Sequence, residues 1–537
     1  MLDKLPSFLT DIVAGVAANW KWFDRKVNRI AINATVNVAR NRPHPLSTAH
    51  DYVSWVTLSD RRWSGRHLPP TQTPPTADPK LVVELFRRPA TGQKLSKRST
   101  CLFPAFAQYL TDGFIRTRMN DSDAGEPDSF RLHNTSNHEL DMCPLYGLRV
   151  EQTDALRLKS ENAGMKGRLK SQVLRKEEYA PYLLEHGVIR REFEKLDPPL
   201  GLSTHLQGRQ QLAKFIFAFG GDRTNASPQV AMINTLFLRE HNRLAGAIET
   251  AHPTWDDEHV FQVARNTVIV LFIKIVVEEY INHISDSIRF HVDPSVAWDA
   301  KWNRPNWITT EFSLLYRWHP LVPDMMRWGG QTIPLRATLM NNELLVSVGL
   351  RRAFEEQSAQ AAGKLCAMNT AEALLEREVR AIDQGRLCKL PTYSAYREYV
   401  TLSKPERFAD ITSNKEVAAL LEKAYGTVDK VELYPGLFAE DNDSDSPLPP
   451  LMRKLVALDA FSQALTNPLL SEHVFNKETF SKPGWDAISE TTVLRDIVVR
   501  NTLGGPTTRP IGMTFTPKHQ PSALAPLQDE PEPQQVS

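Results

Sequence analysis

The chain has 537 residues, 41% hydrophobic and 24% charged, ordinary globular usage with enough apolar material for a large core. Lys+Arg number 64 against 63 Asp+Glu, a net charge of +1, so the basic surplus that nucleic-acid binding by phosphate neutralisation needs is missing. Four cysteines, Cys101, Cys143, Cys366 and Cys388, are too sparse and too widely spaced for a disulfide scaffold or a Cys-x-x-Cys metal site. A reducing compartment is the simpler reading. At roughly 150 residues per domain, the length alone suggests three or four domains.

The first forty residues read as amphipathic helices, with Trp20, Trp22 and Phe23 beside Lys21, Arg25 and Lys26. Such helices either pack on the body or rest on a membrane surface. Charges flank the apolar residues and no small-residue cleavage pattern follows, so no signal peptide is expected. Prolines at 43–45 and along 68–79 mark extended connectors. Residues 149–212 are charged and mixed, and read as loops with short helices. Ser227-Pro228 is an N-cap followed by proline at the first helical position, opening a long helix. Thr254-x-x-Asp257 resembles a capping box ahead of another long helix, running towards Ile284. Within it VIVLFIKIVV (268–277) is the most apolar stretch of the chain, about half a membrane span and interrupted by Lys274, hence a buried core helix. Apolar spacing near 3.6 predicts helices over 343–363, 371–382 and 414–425. Seven prolines in 34 residues from Gly504 onward, with little apolar content, predict a solvated tail. The body is therefore mostly α.

One segment carries recognisable chemistry. In EFSLLYRWHPLVPD (311–324), His319 lies among apolar residues with Tyr316 three positions earlier, a spacing that shares a face on a helix. A metal on His319 would then sit near the phenol. Alone, a histidine in an apolar helix is more often a hydrogen-bonded core residue.

That segment resembles the proximal-histidine region of the cyclooxygenases (prostaglandin endoperoxide synthases), within the animal-type haem peroxidase superfamily. Further matches follow in order: STAHDYVSWVTLSDRRWSGRHLP at 47–69, FAQYLTDGFIRT at 106–117, LYG at 145–147, TLFLREHNRLAGAIETAHPTWDDEHVFQVAR at 235–265, IKIVVEEYINHIS at 273–285 and VELYPGLF at 431–438. The resemblance replaces the several domains of the length prior with N-terminal amphipathic helices (1–42), one large helical haem domain (43–503) and a Pro-rich tail (504–537). It implies a cyclooxygenase-like helical fold, with His319 as proximal iron ligand through a neutral imidazole nitrogen. Tyr316 would be the radical residue, oxidised by the haem and then removing a hydrogen atom from an unsaturated fatty acid before dioxygen adds. Tyr280 matches the tyrosine that hydrogen-bonds the radical tyrosine; Ile281, Ser285, Phe312 and Trp318 match positions lining the acyl channel. Arg40 is the nearest match to the arginine that binds the substrate carboxylate.

The chain departs from the family on the distal side. Gln108 is present, but Asp112 stands where the family has its distal histidine. An ordinary carboxylate is a poor proton donor near pH 7, though burial raises its pKa. FGGDRTNASP places Arg223 on the catalytic arginine position of the wider superfamily, a position cyclooxygenases leave without arginine. Thr111 and Ala226 replace the two carboxylates that esterify haem in the mammalian peroxidase branch, so a noncovalent haem b is expected. Ser287 replaces a channel-mouth tyrosine, and Val493 is aligned with the serine that aspirin acetylates. These changes favour a linear hydroperoxide over a cyclic endoperoxide. The expected protein is a haem-dependent fatty-acid dioxygenase, cytoplasmic or peripheral to a membrane, with a homodimer reasonable from the family's habit. The alternatives are a peroxidase using small reductants and a haem- or lipid-binding relative without turnover. REHNR (239–243) reads as a buried structural network.

Overall fold

The computed structural model describes residues 21–37, 62–75, 77–116, 132–285, 288–442, 444–503 and 509–515. Arg40, Ser287, the 43–45 connector and residues 504–508 and 516–537 of the expected tail lie outside them; its 509–515 stretch is not solvated but packs on the body, with Ile511 and Met513 buried. Helices build the body: α1 (Lys21–Val36), α2 (Leu102–Phe114), α3 (Pro228–Ala251), α4 (Asp257–Ile275), α5 (Thr310–Leu315), α6 (Leu375–Leu387), α7 (Leu433–Ala439), α8 (Pro450–Leu465), α9 (Lys477–Glu490) and α10 (Leu494–Asn501) are the principal ones for the site. The described strands form two-stranded antiparallel pairs only, such as Leu95–Thr100 with Ala361–Gly363.

At the centre, α3 packs against α2, α4, α9 and α10. It starts where the sequence says: the Ser227 side chain accepts the Val230 N–H and Pro228 opens the first turn. Nearly every residue from Pro228 to Ala245 is buried, as befits a helix enclosed on all sides. Its REHNR turn is a satisfied network. Arg239 pairs with Glu177 at 2.8 Å, Glu240 takes Arg243 and Arg500 at 2.8 Å each, and His241 lies 3.0 Å from the Tyr146 hydroxyl and 2.8 Å from the Gly167 carbonyl.

The cap of α4 falls on Asp256, whose side chain accepts the His259 N–H, two residues beyond the expected Thr254. After Ile275 the helix widens into a π-helical turn, Val276–Ile281, then closes as Asn282–Ile284. Asp257–Ile284 is long and apolar enough to cross a membrane, but 78% of its most apolar window is buried inside the body. It is a core helix.

Two expected helices are broken. The 343–363 segment is Glu343–Val348, a break at Gly349 with φ +80°, then Leu350–Ala359 and the strand Ala361–Gly363. Glycine supplies the positive φ that periodicity alone cannot register. Likewise Tyr316 and His319 do not share one helix. The Thr309 side chain caps α5 by accepting the Phe312 N–H, and α5 ends at Leu315. Tyr316 is its C-cap and His319 begins a short 3-10 turn. Pro320 lies in the first turn of that 3-10 helix, where its missing N–H costs no hydrogen bond.

Candidate haem and radical site

The proximal segment is held by backbone contacts. Asn369 donates to the Pro320 carbonyl at 3.5 Å and Arg88 to the Val322 carbonyl at 3.3 Å. The strand Ala361–Gly363 lies so close that a Cβ on Gly363 would meet the Pro320 oxygen at 2.0 Å. Only glycine allows that approach. His319 Nδ1 then lies 3.1 Å from Oε1 of Glu378 on α6, off the line of an ideal hydrogen bond.

Tyr316 sits in an aromatic cluster drawn from four elements. Its ring is 4.6 Å from Phe312 and 4.8 Å from Trp318, stacked on the latter; Trp318 stacks on Phe103 of α2 at 5.4 Å, and Phe103 on Tyr280 at 5.4 Å. The Tyr280 hydroxyl faces the Tyr316 phenol, with which it is electrostatically coupled, and has no other hydrogen-bond partner. Burial pushes the Tyr316 phenol well above its ordinary pKa; Tyr280 opposes the rise and Asp459 on α8 adds to it. The phenol therefore keeps its O–H, which is the form a hydrogen-atom donor needs. Asp459 is itself tied to the buried His67, Nε2 to Oδ2 at 2.8 Å. Close by, the Tyr396 hydroxyl donates to Glu311 at 2.6 Å and fixes α5 from below.

The distal side is polar. Along α2, Pro104, Gln108, Thr111 and Asp112 keep accessible surface while nearly all the rest of the helix is buried. Their spacing of four, three and one is one helical face. Burial pushes the Asp112 carboxyl up to about 7, with Arg223 pulling back most, Asp222 adding to the rise, and Arg116 and Gln108 also lowering it. Asp112 Oδ2 has no hydrogen-bond partner. Arg223 also bears electrostatically on Arg317, whose guanidinium burial makes less basic and whose Nη2 donates to Gln384 at 2.6 Å. Distal and proximal segments thus border one recess, within which Tyr316, Arg317 and His319 retain accessible surface deep in the body.

These residues fit a haem. Among the described residues no group of three or more His, Cys, Asp or Glu side chains converges on a point. A lone histidine holds iron firmly only if a macrocycle supplies the other ligands. The deep guanidinium of Arg317 suits the acidic edge of such a cofactor. Thr111 and Ala226 offer no carboxylate for an ester bond.

Of the sequence-derived residues, the structure brings together Tyr316, His319, Tyr280, Phe312 and Trp318, and on the opposite wall Gln108, Asp112 and Arg223. Ile281 is buried in the π-helical turn beside Tyr280. The Ser285 hydroxyl donates to the Ile288 carbonyl as a local cap. Val493 is misplaced. It is the N-cap of α10, bonded to Asp496, while the helix lying over α5 and the π-helical turn is α8. Sequence reading missed Glu378 and Asp459; each is a carboxylate on a buried helix face, the one signal that could have singled it out.

The Animal haem peroxidase family matches residues 85–510, well over half of the chain. Prostaglandin G/H synthase 2 of Equus caballus is 30% identical over 497 residues, covering 89% of this chain and 78% of that protein. Prostaglandin G/H synthase 1 of Rattus norvegicus is 31% identical over 503 residues, covering 90% and 79%. Among solved structures, the fatty acid alpha-dioxygenase of Oryza sativa with palmitic acid superposes with a TM-score of 0.65 at 17% identity, covering 93% of this chain and 95% of that one. Peroxidase A of Dictyostelium discoideum superposes at 0.64 and 17% identity, covering 87% and 95%. At such identities the structures speak for the fold alone. Sequence match and helical architecture agree: this chain belongs to the animal haem peroxidase family and is an oxidoreductase.

Proposed function

We propose that the protein is a haem-dependent dioxygenase that converts unsaturated fatty acids to hydroperoxides through a radical on Tyr316. The observation that carries this reading is the Tyr316 phenol itself: deep, protonated, ringed by Phe312 and Trp318, facing Tyr280, and three residues from His319. A noncovalent haem b on Nε2 of His319 would supply the one-electron oxidation of Tyr316. The tyrosyl oxygen then takes a hydrogen atom from the acyl chain, dioxygen adds to the carbon radical, and the peroxyl radical takes the hydrogen atom back from Tyr316. The product is a hydroperoxide and the radical is restored. Tyr280 orients the phenolic oxygen, and the surrounding rings keep water away. Relatives named prostaglandin G/H synthases and a fold shared with fatty acid alpha-dioxygenases support the substrate class. We assign the carboxylate anchor to Arg40 and any membrane contact to the residues before it.

Oxygen uptake with a fatty-acid panel, parent against Tyr316→Phe, is the test. Abolished uptake with an unchanged haem absorption band is expected; unimpaired uptake overturns the radical role. A second reading, peroxidase action on small reductants, draws on Asp112 and Arg223. Asp112 at about 7 can take a proton from hydrogen peroxide and return it, while Arg223 stabilises the departing oxygen. Rapid guaiacol oxidation without fatty-acid-dependent oxygen uptake would favour it.

A further inference from the structure

We infer that Glu378 is a positioning residue that polarises the proximal histidine. It fixes His319 in the Nδ1–H tautomer and gives the imidazole partial imidazolate character. The inference rests on the haem reading above and extends it to the strength of the bond between His319 and iron.

Glu378 is fully buried on α6, 59 positions beyond His319 in the chain. Its two oxygens have different partners. Oε1 accepts the Thr370 hydroxyl at 2.7 Å and faces His319 Nδ1 at 3.1 Å; Oε2 accepts the Tyr434 hydroxyl from α7. A buried carboxylate needs a cation or several donors, since leaving it unpaired costs several kcal/mol. Besides the Thr370 and Tyr434 hydroxyls, the nitrogen that faces it among the described residues is Nδ1 of His319. Arg317 is near enough to act on it electrostatically, yet spends its guanidinium on Gln384 instead. Nδ1 of His319, for its part, has no other hydrogen-bond partner. Each is thus the group the other lacks.

Both carboxyl oxygens of Glu378 already act as acceptors, for Thr370 and Tyr434, so the ring nitrogen facing Oε1 is assigned the proton. That leaves the lone pair on Nε2, the atom a metal needs. Iron held at Nε2 would leave the Nδ1–H to Oε1, 3.1 Å away. Negative charge drawn towards the ring strengthens its donation to iron and favours the ferric state. Thr370 and Tyr434 moderate the effect by occupying the same carboxylate.

Glu378→Gln keeps size and an acceptor oxygen but removes the charge, and Thr370→Val removes the competing donor on Oε1 without touching His319. The two should act in opposite directions on haem-loaded protein. In the ferrous form, the iron–histidine stretching band in resonance Raman spectra should fall in frequency for Glu378→Gln and rise for Thr370→Val. The ferric/ferrous potential should move positive for the first and negative for the second. A merely structural carboxylate would lower the melting temperature in both and move neither spectrum nor potential. If Glu378→Gln fails to fold or load haem, Thr370→Val decides alone: a raised band supports the inference and an unmoved band overturns it. A parent protein with no imidazole–iron band overturns His319 as ligand and this inference with it. A parent band that neither variant moves overturns the role of Glu378 alone.

Discussion

The REHNR turn of α3 and the recess around Tyr316 both bury polar groups, and they treat them oppositely. In REHNR each side chain has its partner: Glu240 alone is bonded by Arg243, Arg500 and Asn501. In the recess Asp112 Oδ2, Tyr280 Oη, Trp318 Nε1 and His319 Nδ1 have no hydrogen bond of good geometry. Buried polar atoms are normally satisfied, and each exception asks for an explanation. The first region is closed on itself; the second leaves donors and acceptors uncommitted beside the proposed haem position.

That contrast can be broken. The largest effect is expected at REHNR. Glu240→Ala strands two guanidiniums and should cost about 3–5 kcal/mol in denaturant unfolding. A loss confined to turnover would contradict the structural assignment. Burial pushes the Glu240 carboxyl up, but Arg243, Arg500 and Asn501 outweigh it and hold the pKa below the ordinary 4.5. Its stabilisation is thus complete above that value and lost as pH falls through the lower folded value, so Glu240→Gln should flatten the acid limb of stability. In the recess the expectation reverses. Asp112→Asn should reduce the rate of reaction with hydrogen peroxide roughly 100-fold with little change in melting temperature. The parent's rate should climb as pH rises through about 7, because the ionised carboxyl is the base; in Asp112→Asn the climb should vanish. A retained climb would assign the proton to another group. Smallest is Ser227→Ala, about 1 kcal/mol of stability from the lost cap, measured by thermal unfolding, with the haem spectrum unchanged.

Legibility in the sequence followed the range of the interaction. Ser227-Pro228 and the helix Lys415–Tyr425 with its Asn414 cap were readable because capping is local chemistry. The Tyr316–His319 segment was readable through family resemblance, but its shape was not: periodicity placed both residues on one helix, and that helix ends at Leu315. Gly349 and the shift from Thr254 to Asp256 are similar local overrides of a correct helical pattern. Val493 failed for another reason. Alignment register decays across insertions, and only packing shows that α8, not α10, lies over the phenol. Glu378 sits on the apolar stripe of Leu374, Leu375 and Ile382, so its oddity was visible, while its partner, 59 positions away, was not. Asp112 stood out in the sequence as a carboxylate where the family has a histidine; that burial pushes it to about 7, against the pull of Arg223, depended on packing that no local pattern records.

The π-helical turn Val276–Ile281 carries one consequence for how this site can change. A π turn holds one residue more than the α turn it replaces, and an α-helix advances about 100° per residue. Deleting a single residue there would let the helix close up normally and swing Tyr280 by roughly that angle, away from the Tyr316 phenol and into the packing. It would also pull Glu279 off the backbone N–H groups of Leu494 and Met513 that it now holds. The length of this one loop of helix thus acts as a genetic dial: a one-codon insertion or deletion can couple or uncouple the two tyrosines while leaving every catalytic side chain in the gene.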